Sequence, residues 1–433
     1  MEAASTKTKS RAGSRIRFRT RFRGTSRFDS RTLIRASGGP RYAVALAVDA
    51  LGTGLLRPFL LLYGVTVLGL SAPATGTAMT VGVVAGLVCM PALGRWLDRG
   101  ARSSAVAASM LVRVLGVALL LAAPAGHVWL FAAAALFLGI GNQAWPAAHA
   151  ALVATVSHGR ERDAALAWGR ALRNAGLGAG ALLATACLAG GPTALQALAA
   201  VTGLSYLAAA ALAWSVKVRA HQGASPAGPA ESADKAGPVD QAGPAADGNG
   251  GPAPRTRALL AANVVYVFCL NVPEIALPLV LMTQLDASPV WSAAIFVANT
   301  VLVVALQVPL TVLMSRFPRR TVLAIAGVVL TASYLGFLAA TSLGHGWGPP
   351  AVAAVSVVCT LGEILYAGTA TALVTDLAPT RLLGRALARF QLSTGFGLAV
   401  SPAAITTLAP HGPAALWGTL AAATLLSAAV IAR

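Results

Sequence analysis

Charge is what this sequence has least of. Only 11% of its 433 residues are Asp, Glu, Lys or Arg, where a typical soluble domain carries about 25%. The chain is also 56% hydrophobic. That combination excludes a soluble enzyme and a disordered protein. Cysteine is scarce. Cys89, Cys187, Cys269 and Cys359 sit in separate apolar blocks without CxxC spacing. This excludes a disulfide scaffold and a thiolate metal site, and each cysteine is expected to be a small buried apolar residue. A phosphate-binding loop, clustered metal ligands and a paired Ser/His nucleophile are missing too. No enzyme activity, cofactor or resident metal is therefore expected.

What the chain does have is long apolar blocks. Twelve can be marked, at 42–69, 73–94, 103–123, 128–156, 164–189, 193–216, 258–282, 289–315, 321–341, 350–375, 386–409 and 413–432. Most reach the ~20 residues a helix needs to cross the hydrocarbon layer. Helices are expected because every backbone amide must be satisfied without water, and continuous apolar runs do not fit a β-barrel. The fold expected is an all-α polytopic membrane protein with twelve transmembrane helices in two six-helix bundles.

The basic residues orient it. Of the 33 Lys and Arg residues, twelve precede segment 1, and the rest gather after segments 2, 8 and 10, around the start of segment 5 and between segments 6 and 7. Arg433 ends the chain. Only Arg57 and Arg113 are read as lying inside membrane segments, and the alternate loops hold no Lys or Arg. By the positive-inside rule both termini face the cytoplasm of a plasma-membrane protein. The net charge of +19 then needs no nucleic-acid partner. Residues 1–41, with Arg15, Arg17, Arg19, Arg21 and Arg23 alternating, are expected to be a disordered basic tail able to meet anionic lipid headgroups. Residues 217–257, with repeated Gly-Pro and no apolar period, read as a flexible cytoplasmic linker. It divides the chain into bundles at 42–216 and 258–433.

The halves align at an offset of about 221. Arg160 matches Arg381, Gly176 matches Gly397, and Arg95 and Arg99 match Arg316 and Arg320. Such an internal repeat suits a transporter whose halves rock about a shared site. Three stretches carry a resemblance to the major facilitator superfamily. They are Asp49 through Gly52, Gly54, Arg57 and Pro58; the loop Gly94-Arg-Trp-Leu-Asp98-Arg99-Gly-Ala-Arg102; and the run from Gly139 through Pro146, Arg160 and Asn174 to Gly180. The second is similar to that family's signature loop. The helix 4 arginine of the family's motif is absent, Asn142-Gln143 standing there, and the helix 5 motif of its drug antiporters is only partial.

The resemblance implies secondary active transport by alternating access, drug-efflux-like, with protons as coupling ion and a small, partly apolar molecule as substrate. Proton-coupled nutrient uptake is the alternative, and a membrane-embedded enzyme or non-transporting receptor the remote one. It also implies that Gly94, Asp98, Arg99 and Arg102 form a cytoplasmic gating loop, with Asp98 meeting a helix end and nearby arginines.

Ionisable groups inside helices mark function by default. Asp49, Thr53 and Arg57 form an i, i+4, i+8 stripe. The resemblance implies that segments 1 and 7 face each other across the cavity, so Arg57 is expected to pair with Glu274 of segment 7, at similar depth, as an outer gate. Arg113 is expected to pair with Asp49, the nearest acid in depth. Glu363, at the repeat position of Asn142, is the first candidate for proton coupling, followed by Asp49 and Glu274. The resemblance, which implies that segments 1, 4, 7 and 10 line the cavity, makes Asn142, Gln143 and Asn271 expected cavity residues alongside Arg57. Trp129, Trp291, Trp347 and Trp417 read as interface anchors.

Overall fold

The computed structural model describes residues 30–187, 190–216 and 254–432. Among the described residues twelve long helices follow one another. The first six are α1 (Pro40–Thr66), α2 (Ala72–Asp98), α3 (Arg102–Ala122), α4 (Val128–Val156), α5 (Gly159–Cys187) and α6 (Gly191–Trp214). The second six are α7 (Thr256–Thr283), α8 (Val290–Met314), α9 (Arg319–Thr341), α10 (Gly344–Leu377), α11 (Thr380–His411) and α12 (Pro413–Ala432). Eleven are long and apolar enough to cross a bilayer. The other, α5, has 29 residues but carries Arg160, Glu161, Arg162, Asp163, Arg170 and Arg173.

The same pairings build both halves. In the first, α1 packs on α5 and α6, α4 on α2 and α3, and α3 on α6. In the second, α7 packs on α11 and α12, α10 on α8 and α9, and α9 on α12. Lipid offers no hydrophobic drive for helices to associate, so close approach depends on small residues. The α1–α5 crossing shows this. A Cβ on Gly176 would stand 2.5 Å from Ala50 Cβ, and one on Gly180 would stand 2.9 Å from Gly54 Cα. Any side chain at these two positions, one turn apart on α5, would lift α1 away. Both α1 and α7 are interrupted. Pro58 lies in a 3₁₀ turn, Arg57–Phe59, and Pro273 in a π turn, Val272–Ala276, because proline removes a helical hydrogen bond.

Several expectations need correcting. Residues 30–36 do not belong to a disordered tail. Ser30–Ala36 is a helix whose Leu33 and Ala36 are buried, Ala36 against Val153 and Ala165. The expected linker is shorter at its far end, since a helix already begins at Pro254. The alternating arginines and the rest of the linker, within residues 1–29 and 217–253, lie outside the described residues. Trp417 is no interface anchor. It is fully buried, with ring centroids 4.8 Å from Phe337 and 6.2 Å from Tyr334. Cys187 is exposed.

Candidate functional site

The two halves are locked together at the arginine-rich end. Asp98, the last residue of α2, reaches across to α11. Its Oδ1 accepts the backbone N–H groups of Gly384 at 2.7 Å and Arg385 at 3.2 Å, and its Oδ2 accepts Arg385 Nε at 2.7 Å. The first turn of a helix has orphan N–H groups and a positive dipole end, so a carboxylate from another helix is a fitting cap. Gly94 permits the approach, since a Cβ there would lie 2.9 Å from Arg385 Cα. Arg99 is exposed and makes no ion pair among the described residues, and Arg102 donates to Thr155 within its own half. Of the four expected loop residues, Gly94 and Asp98 alone meet the other half.

A second lock was not foreseen. Arg319, at the start of α9, donates to both oxygens of Asp163 on α5, at 2.9 and 2.7 Å, and also bonds Asp376 at the end of α10. Arg162 Nη2 lies 2.5 Å from Asp376 Oδ1. At the 221-residue offset, Arg319 stands where Asp98 stands in the first half, and Asp163 where Gly384 stands. The two locks therefore occupy equivalent places, with a carboxylate at position 98 and a guanidinium at its repeat position 319. Asp98→Asn is expected to remove an interaction of about 1 kcal/mol with the α11 terminus and move the population roughly fivefold towards opening at this end. Distances between spin labels on α2 and α11 would measure it, and an unchanged distribution would count against the lock.

Between the halves lies a cavity of about 340 Å³, lined mainly from α4, α5, α10 and α11. Asn142 and Gln143 reach it from α4 and Glu363 from α10, with Arg57 of α1. Gln391 of α11 donates to Gln143 at 3.1 Å, crossing between the halves. Glu363 Oε2 accepts the Asn299 side-chain amide at 2.9 Å and has no cation within ion-pair distance among the described residues. Asn271, expected in the cavity, instead faces α11, donating to Ser401 Oγ at 2.5 Å. Arg57 and Glu274 are both exposed and form no ion pair with each other, because α1 and α7 do not pack together in this state.

Asp49 is the hub of a buried cluster beside the cavity. It is fully buried, as is Arg113, whose Nη2 stands 2.6 Å from Asp49 Oδ1. Arg173 Nη1 lies 3.3 Å from the other carboxylate oxygen. Thr53 receives Tyr206 Oη at 3.2 Å and Arg113 Nη1 at 3.4 Å. Arg113 lies 4.3 Å over the Tyr206 ring and Arg173 4.2 Å over Trp145. Trp145 stacks on His149, whose Nδ1 pairs with Tyr42 Oη at 2.8 Å.

Sequence reasoning missed two residues here. It counted Arg170 and Arg173 among the charges around the start of segment 5, yet both line the cavity. The signal was present, since they lie 11 and 14 residues beyond Gly159, about 16 and 21 Å along the helix. They are hydrophilic enough to blur where the membrane segment begins.

Two repeated six-helix halves, a central cavity and cross-half locks at one end are the architecture of a membrane transporter. The family model described as Major Facilitator Superfamily matches residues 42–402. The chain belongs to that superfamily and is a multi-pass secondary transporter. A search of curated proteins returns no match. Solved structures share the fold. A bacterial homologue of the iron transporter ferroportin in an outward-facing state is 13% identical, with TM-score 0.71, over 90% of this chain and 97% of that one. The human organic anion transporter MFSD10 (TETRAN) is 14% identical, with TM-score 0.64, over 93% and 100%. The proton:xylose symporter XylE is 12% identical, with TM-score 0.69, over 90% and 94%. At such identities the likeness concerns the fold alone.

Proposed function

We propose that this chain moves a small, partly apolar molecule through the cavity between its halves, in a plasma membrane, with the arginine-rich face in the cytoplasm and Glu363 as the proton-binding group. The observation that carries this reading is a cavity sealed at one end by the Asp98 and Arg319 locks, with a single carboxylate among its lining residues. Breaking those locks while α1 and α7 close would present the same cavity to the other side. Proton-driven efflux, substrate outward for proton inward, is the first reading. Trp145, Leu270, Phe390 and Leu398 supply apolar wall for it.

Co-transport with protons is the second reading, and one observation favours it. Arginines outnumber carboxylates on the cavity wall, Arg57, Arg170 and Arg173 against Glu363. Right-side-out vesicles holding the full chain separate the two. An inward substrate gradient, applied from a panel of growth-inhibiting and nutrient molecules, is expected to acidify the outer medium under exchange and alkalinise it under co-transport. No saturable substrate movement and no second conformational state would end the transport reading.

A further inference from the structure

The charges of the cavity do not balance. Asp49 is one buried anion set against two cations, Arg113 at 2.6 Å and Arg173 at 3.3 Å. Glu363 is held by an amide rather than by a cation. Arg170 lines the cavity from α5, and its guanidinium makes no hydrogen bond or ion pair with any described residue; the same is true of the Arg57 guanidinium. A guanidinium has five N–H donors in a planar fork, keeps its charge at any physiological pH and has no acceptor. Held in a cavity with those donors unmatched by protein, it calls for an acceptor from outside. A carboxylate, sulfonate or phosphonate fits that fork with two parallel bonds.

The walls limit the rest of the molecule. Trp145 and Phe390 face the same space, and a volume of about 340 Å³ lies at the small end of ligand cavities, roughly 300–1,000 Å³. That is room for one or two rings. Arg57 lies about 25 Å along α1 and Arg170 about 16 Å along α5. One cation therefore stands nearer the mouth opposite the locks and the other deeper. The field they set up draws an anion inward and repels a cation, and a neutral ligand would leave both forks unpaired.

We infer that the substrate is a small organic anion with an aromatic or apolar body, its anionic group held by Arg170 and drawn in past Arg57. This rests on the transport reading of the same cavity but not on its direction.

Three molecules of one shape test it: 2-naphthoate, 2-naphthamide and 2-naphthylmethylammonium, titrated calorimetrically into the full chain in nanodiscs. Naphthoate is expected to bind about tenfold or more tightly than either of the others. Arg170→Gln is expected to abolish that preference, and Arg170→Lys to keep part of it, since the charge remains and the fork is lost. Arg170→Lys also guards against misfolding as the cause. Naphthoate binding no better than the amide or the ammonium, whether equal or absent, overturns the inference, as does an undiminished preference in Arg170→Gln. The transport reading is checked separately, by spin labels at Arg99→Cys and Arg381→Cys in a Cys187→Ser background. A single fixed distance beside a clear anion preference removes transport and leaves the anion site. Two distances without that preference do the reverse.

Discussion

Asp49→Ala is expected to destabilise the folded chain by about 3–5 kcal/mol, the usual cost of removing one partner of a buried ion pair. Asp49 and Arg113 are both fully inaccessible, 2.6 Å apart, and Arg173 leans on the same carboxylate at 3.3 Å. Removing the carboxylate leaves two guanidinium groups without an anion, Arg113 with Thr53, the Ser109 carbonyl and the Tyr206 ring as neighbours and Arg173 with the Trp145 ring. The damage should therefore exceed the loss of the contact itself. Thermal melting of the detergent-solubilised chain measures it. Asp49→Asn should be nearly as harmful, because it keeps shape and loses charge. Asp49→Asn combined with Arg113→Gln should recover part of the loss, since one of the stranded cations goes too. A single variant that melts with the unaltered chain would contradict the account.

Glu363→Gln is expected to abolish proton-driven accumulation of substrate while leaving substrate-for-substrate exchange within a few-fold of the unaltered chain. The argument compares two acids. The charge of Asp49 is locked by two arginines, so a proton arriving there must displace both. Glu363 accepts one hydrogen bond from Asn299 at 2.9 Å and meets no cation at ion-pair distance, so its protonation costs no salt bridge. Arg170, His149 and Tyr366 share the cavity with it from α5, α4 and α10, and a substrate or a change of access alters what Glu363 faces. A carboxyl whose surroundings change between two states is a means of coupling proton binding to that change. Accumulation driven by a pH gradient at the full rate in Glu363→Gln would remove Glu363 from this role.

Some of the site is legible in the sequence. The Asp49–Arg113 contact follows from a cost argument. A charge on the middle of α3 needs an opposite charge at similar depth, and few acids exist to supply one. The Asp98 loop was legible from its residue pattern, though not its partner, because that helix end lies 286 residues away in sequence. The second lock was out of reach. Asp163, Arg319 and Asp376 are unremarkable alone, and only the docking of α5 against α8 and α10 brings them to one point. Arg57 and Glu274 failed as a pair for a related reason. Their depth along their helices was readable, but whether α1 and α7 close on each other belongs to the conformational state. Arg170 was misplaced because a hydropathy reading treats an arginine near a segment end as a loop charge, whereas a helix inside a bundle can turn that arginine onto a wet interior.

The sequence by itself determined that the chain spans a membrane in two repeated sets of six helices, since apolar length and the period of basic loops leave few other solutions. The tertiary structure decided which face of each helix looks into the cavity, which arginines have partners, and that one end is shut. Those outcomes depend on helix rotation and on contacts between residues hundreds of positions apart. In a bilayer, rotation is set by packing against neighbouring helices, which hydropathy along a single chain does not record.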